Sequence, residues 1–82
     1  MQLVRSPKQL GAALRRFRRD RKLTQTQLAS RAGLRQATVS QVENGLETVK
    51  LKTVMDLVHA LDLEFVLQPR TKGSHKDLEE LF

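Results

Sequence analysis

From Leu10 onward apolar side chains return every three or four positions, and Leu10, Ala13, Leu14 and Phe17 fall on one face of a helix. The stretch before them carries a start signal. Ser6 suits the N-cap, Pro7 takes the first helical position, where its missing N–H costs nothing, and Gln9 stands where it can complete a capping box. The spacing predicts a helix from Pro7 to about residue 21. Arg15, Arg16, Arg19 and Lys22 lie largely off the apolar stripe and give that helix a basic flank.

The capping pattern recurs at Thr24-Gln25-Thr26-Gln27, so a second helix is expected from about Gln25 to Ala32, burying Leu28 and Ala29 and closing at Gly33. Only Gly33, Leu34 and Arg35 separate it from a third helix, Gln36 to about Asn44, with Val39 and Val42 one turn apart and Asn44-Gly45 as its stop. Two short helices joined tightly around a glycine make a helix-turn-helix pattern. A fourth helix is expected from about Leu51 to Leu61. Its apolar positions are Leu51, Val54, Met55, Val58 and Leu61, and the stripe on the first helix is its expected partner.

The period then changes. Leu63, Phe65 and Leu67 alternate with Glu64, Val66 and Gln68 in the two-residue repeat of a strand, which Pro69 ends. A lone strand leaves its backbone groups unpaired, and no second strand is visible in the sequence. Pairing of Leu63, Phe65, Val66 and Leu67 with the same segment of another copy is the economical solution and would make a homodimer. A chain of 82 residues is close to the size at which one core is barely sufficient, which also favours dimerisation. The expected organisation is a helix-turn-helix and dimerisation domain over residues 1–70 and a polar tail over 71–82. The tail is expected to be disordered in the free protein, with Leu78, Leu81 and Phe82 forming an apolar edge if a partner induced a helix.

Charge narrows the choice of partner. The formal net charge is +6, and residues 1–22 hold eight Arg or Lys against one acid, Asp20, whereas residues 71–82 hold two Lys against three acids. A clustered excess of this kind favours a polyanion at the front of the chain. The absence of Cys excludes a disulfide framework and a thiolate zinc site, and agrees with a reducing cytoplasm. No apolar run approaches the roughly 18 residues of a membrane span, and the first residues lack a signal-peptide core, so a cytoplasmic chain with no membrane partner is expected. His59 and His75 have no carboxylates at ligand spacing, Ser6 belongs to no triad, and no Gly-rich phosphate loop is present. Neither a metal, a cofactor nor an enzymatic activity is expected.

Thr24-Gln25, Leu28-Ala29, Gly33, Val39, Val42 and Glu43-Asn44-Gly45 together resemble the signature of the lambda and 434 repressor-like (Cro/C1, or XRE) helix-turn-helix family, over roughly residues 9 to 63. More narrowly, the segment QATVS at 36–40, the Glu43-Asn44 that follows, a fourth helix running into a strand, and a short tail are similar to the HipB-type antitoxins of HipA/HipB toxin-antitoxin systems. The resemblance implies a mainly α fold, a lambda repressor-like bundle of four to five helices plus one short C-terminal strand that pairs across a homodimer. It also implies a palindromic operator in double-stranded DNA, repression of the chain's own operon, and a HipA-like serine/threonine kinase toxin as protein partner.

With Val39 and Val42 turned inward, Gln36, Ala37, Thr38, Ser40 and Gln41 remain on the outer or N-terminal surface of the third helix. Short amides and hydroxyls permit close approach to base edges. Gln pairs with adenine N6 and N7, Thr and Ser accept or donate, and Ala packs on a thymine methyl, which makes Gln36 the strongest candidate for specificity. Arg35 is a poor N-cap residue and is read as a further DNA contact. Thr24 and Gln25, at the positive end of the second helix, take the phosphate-binding role of the family's Thr-Gln position. Lys50, Arg15 and Arg19 are further candidates for phosphate, although a solvated face explains the arginines equally well. The resemblance places Arg18 and Glu43 in a partly buried structural pair. Two other readings stay open: a stand-alone or phage-type repressor with no toxin partner, and an adaptor whose glutamine-rich helix meets protein.

Overall fold

The computed structural model describes residues 2–70, and among them four helices: α1 (Pro7–Asp20), α2 (Gln25–Ala32), α3 (Gln36–Glu43) and α4 (Leu51–Ala60). Ser6 caps α1 by accepting from the Gln9 amide at 3.1 Å, but the Gln9 side chain reaches one residue further back, accepting from the Arg5 amide at 2.6 Å. The box at α2 is complete. Thr24 Oγ1 accepts from the Gln27 amide at 3.0 Å while Gln27 Oε1 accepts from the Thr24 amide at 2.8 Å. Such reciprocal bonds satisfy donors that the first helical turn leaves orphaned.

All four helices end the same way. A residue with positive φ reverses the chain at Lys22, Gly33, Gly45 and Asp62, and the next amide reaches back five residues: Leu23 to Arg18, Leu34 to Ala29, Leu46 to Gln41 and Leu63 to Val58. This pairing closes the orphan carbonyls of each last turn and, after α1, α2 and α4, directs the following leucine back onto the bundle, whereas Leu46 after α3 stays exposed. Leu23, Leu34 and Leu63 accordingly pack against the core.

That core is Leu14, Leu28, Ala29, Val39, Val42, Val54, Leu57, Val58 and Leu61, with Leu10 and Phe17 partly buried at its edge. One expectation is corrected here. α4 packs principally on α2, and α1 principally on α3, so the stripe of α1 is not the main partner of α4. Gly11 lets α1 settle directly on the carboxyl end of α3. Facing α2, α4 buries Leu57 completely and leaves Leu51, at its first turn, 73% exposed, so the buried set is Val54, Leu57, Val58 and Leu61.

The strand expected over residues 63–68 is one that pairs with a second copy. Leu63 covers the core, but the segment carries no strand, and no strand occurs among the described residues. A single chain offers this segment no partner to complete a ladder. Phe65, Val66 and Leu67 stay exposed, Leu67 at 97%, beside Leu3 and Val4. The N-terminal and C-terminal segments, with Leu10, Phe17 and Val58, line an open cleft of about 630 Å³. The expected tail, 71–82 with His75, Leu78, Leu81 and Phe82, lies outside the described residues.

Candidate nucleic-acid interface

α3 is anchored from below and open above. Val39 is fully buried and Val42 nearly so, which fixes the rotation of the helix and leaves Gln36, Ala37 and Gln41 exposed and Thr38 and Ser40 half-buried. Ser40 Oγ accepts from Asn44 Nδ2 at 3.4 Å, so one of the hydroxyls is steadied by the turn that follows. Arg35 occupies the N-cap in an extended conformation with no side-chain capping bond. The first amides of α3 therefore receive no side-chain cap from Arg35, and the helix start keeps its partial positive charge.

The N-terminus of α2 sits beside that of α3 and is tied to it. Gln36 Nε2 donates to Gln25 Oε1 at 2.6 Å, and Gln25 Nε2 donates to Glu43 Oε1 at 3.0 Å. Glu43 in turn accepts from Arg18 Nε at 2.6 Å and from Arg18 Nη2 at 3.0 Å, while Arg18 Nη1 donates to the Leu23 carbonyl at 2.8 Å. Arg18 and Glu43 are both buried, at 8% and 6%. The ion pair ties α1 and the α1–α2 turn to the end of α3, and each charge has partners that repay part of its desolvation. Gln25 thus has two protein partners, a linkage for which nothing in the spacing of the chain gave a signal.

The remaining candidates surround this centre. Thr24 is exposed, its hydroxyl engaged in capping α2. Lys50 is exposed at the N-cap of α4, and Arg15 and Arg19 are exposed on α1. Arg16 donates to Gln2, and Arg21 lies over the Phe17 ring, 5.5 Å from its centroid, so part of the basic flank is occupied within the chain. Beside α3, Ser40, Gln41 and Asn44 continue into Gly45, Leu46, Glu47 and Thr48 around a shallow hollow. Sequence reasoning passed over Thr48, whose place beside the helix depends on the path of the loop.

This geometry, two short helices with their amino ends side by side and a polar outer face on the second, is accompanied by a match to the family described as "Helix-turn-helix domain" over residues 9–67. Antitoxin HipB of Escherichia coli (strain K12) is 32% identical over 79 residues, covering 96% of this chain and 90% of HipB. The chain belongs to the HipB-like helix-turn-helix family. Its fold agrees with that placement: in the solved "Structure of HipA-HipB-O2-O3 complex" the matching chain superposes with a TM-score of 0.78 at 34% identity, over 83% of this chain and 96% of that one. The shared helix-turn-helix unit also occurs in larger proteins. The HTH-type transcriptional regulator y4dL of Sinorhizobium fredii is 42% identical over 57 residues, spanning 70% of this chain but 29% of y4dL. Among the described residues of this HipB-like chain no helix is long and apolar enough to cross a membrane.

Proposed function

We propose that the chain is a sequence-specific DNA-binding repressor and the antitoxin of a HipBA-like pair, acting in the cytoplasm as a homodimer, a binding protein and not an enzyme. The observation that carries the reading is the outward face of α3, a rigid rod bearing amide, methyl and hydroxyl groups beside an uncapped helix start. In this reading Gln36, Ala37, Thr38, Ser40 and Gln41, with Arg35 beside them, enter the major groove and meet base edges. Gln25 and Thr24 at the start of α2, with Lys50, Arg15 and Arg19, meet phosphates and set the register without reading sequence. Arg18 and Glu43 hold α1 to α3 and stay out of the DNA.

The second half of the reading is the dimer. Leu63, Phe65, Val66 and Leu67 pair with the same segment of a second copy, which completes a small sheet and covers the apolar surface left open beside Leu3 and Val4. Two recognition helices related by a two-fold axis then require half-sites about 34–36 Å apart, or a multiple, on a near-palindromic operator. That HipB is found in a complex with HipA supports a HipA-like kinase as protein partner.

The test has two arms. Affinity for duplex DNA is measured as salt rises; binding should weaken steeply, log K falling with a slope of about −0.9 for each phosphate neutralised, and a flat response would overturn the electrostatic part. Co-purification with the product of the adjacent reading frame tests the toxin partner. A kinase that associates supports the antitoxin, and its absence leaves a stand-alone repressor.

A further inference from the structure

We infer that buried Glu43 is a positioning residue for base readout, because it fixes the direction in which the exposed Gln36 amide presents its donor and its acceptor. The inference rests on the DNA-binding reading above and goes beyond it by naming what orients the reading group.

The argument starts from what each group can accept and donate. A carboxylate paired with a guanidinium is acceptor-only, whereas a glutamine amide has an oxygen that only accepts and a nitrogen that only donates. Glu43 is held by two Arg18 N–H groups and cannot turn away. The end of Gln25 facing Glu43 must therefore be its Nε2, as found at 3.0 Å. That leaves Gln25 Oε1 facing Gln36, so the group answering it must be Gln36 Nε2, as found at 2.6 Å. Polarity is transmitted from a buried anion, through a half-buried amide, to an exposed one. Each link has one allowed orientation.

The consequence lies at the free end. Gln36 spends one N–H on Gln25 and keeps its Oε1 and its second N–H open, the donor and acceptor combination that matches adenine N6 and N7. If the chain of amides were reversed, Gln36 Oε1 would face Gln25 and two N–H groups would face outward. That set suits the two acceptors of guanine, N7 and O6. A free glutamine samples both orientations; this one is held in one of them by a charge buried beneath the helix-turn-helix.

Glu43→Gln tests the inference because it preserves shape and supplies an amide that can donate to Gln25, so the reversed orientation becomes available. Gln25→Met removes the link while keeping its bulk. The wild type, both single variants and the double variant are incubated as full chains with a pool of duplexes carrying a randomised central segment, and bound DNA is sequenced, with thermal unfolding recorded for each protein. The wild type should favour adenine over guanine by about tenfold or more at one base pair of each half-site, the discrimination expected of one good bidentate contact. Glu43→Gln and Gln25→Met should each reduce that ratio to about threefold or less at that base pair, leave the other positions as selective as before, and add nothing when combined. Should Glu43→Gln fail to fold, Arg18→Gln with Glu43→Gln, which leaves no unpaired charge, replaces it. Variants that bind all sequences more weakly but keep the wild-type adenine preference would overturn the inference and leave Glu43 a purely structural residue. A wild type that selects no sequence would overturn it too, by removing the reading on which it rests.

Discussion

Gly11 lies so close to the carboxyl end of α3 that a Cβ on it would stand 2.3 Å from the carbonyl oxygen of Val42. The Glu43 carbonyl oxygen would be 2.7 Å away, and backbone atoms inside a helix cannot swing aside as a side-chain end can. At an exposed helical site, Gly→Ala would stabilise by about 1 kcal/mol through propensity. Here the sign should reverse. Overpacking of about 1–3 kcal/mol or more outweighs the propensity gain, because α1 must lift off α3. Gly11→Ala is expected to lower stability in urea by at least about 1 kcal/mol, and a variant more stable than the parent would contradict the close contact. Gly33, at φ +69 with nothing within 4 Å of its added Cβ, should show only the strain of that backbone conformation, about 1–2 kcal/mol.

Breaking the Arg18–Glu43 pair from one side leaves a buried charge without its counter-ion. Glu43→Ala should therefore destabilise by about 3–5 kcal/mol, enough to unfold much of a marginally stable small domain. Replacing both residues, as Arg18→Met with Glu43→Leu, should cost less than the sum of the single losses. A double-mutant cycle in denaturant checks this, and simple additivity would mean that the two charges do not depend on each other.

Arg35 presents a trade between stability and binding. Arg35→Ser supplies the side-chain cap that α3 lacks and should raise stability by about 1 kcal/mol. The same change removes a cation from the interface, so affinity for DNA should fall and become less sensitive to salt. Unfolding and binding measured on one preparation should move in opposite directions; equal or stronger binding would remove Arg35 from the interface.

How much of this was legible beforehand follows from the range over which each feature is determined. The starts of α1 and α2 are written within four residues, at Ser6-Pro7 and Thr24 to Gln27, and the end of α2 at Gly33 is equally local. The inward valines of α3 follow from its short period. Tertiary choices were less visible: periodicity shows that α4 is amphipathic but not which helix it will face, and Leu57 became central only because α4 turned toward α2. Lys22 and Asp62 adopt the left-handed conformation without the usual glycine, so the tight ends of α1 and α4 carry no residue signal. The strand period at Leu63 to Leu67 is plain in the sequence, but a ladder needs a partner, and within one chain that segment has none. At the interface, residue types indicated the exposed face, while the Gln36–Gln25–Glu43 linkage depends on side chains brought together from two separate helices.

Leu67 isolates the dimer from the fold. At 97% exposure it contributes little to the single chain, so Leu67→Asp should change the monomer's stability by no more than about 0.5 kcal/mol. Two charges placed in an intermolecular sheet should instead abolish the dimer, which sedimentation would record as a halving of the mass. Operator affinity should fall with it, since each half-site would then be bound alone. An intact Leu67→Asp dimer would place the two-fold contact elsewhere.

The central claim, that the outer face of α3 reads base sequence, is tested most directly by Gln36→Ala in a selection from randomised duplexes. Wild-type protein should enrich a two-fold symmetric motif. The variant, folded and still bound to DNA in a salt-dependent manner, should lose selectivity at one base pair in each half of that motif and retain the rest. An unchanged motif for Gln36→Ala would contradict the account, because the exposed amide at the start of α3 would then have no part in reading DNA.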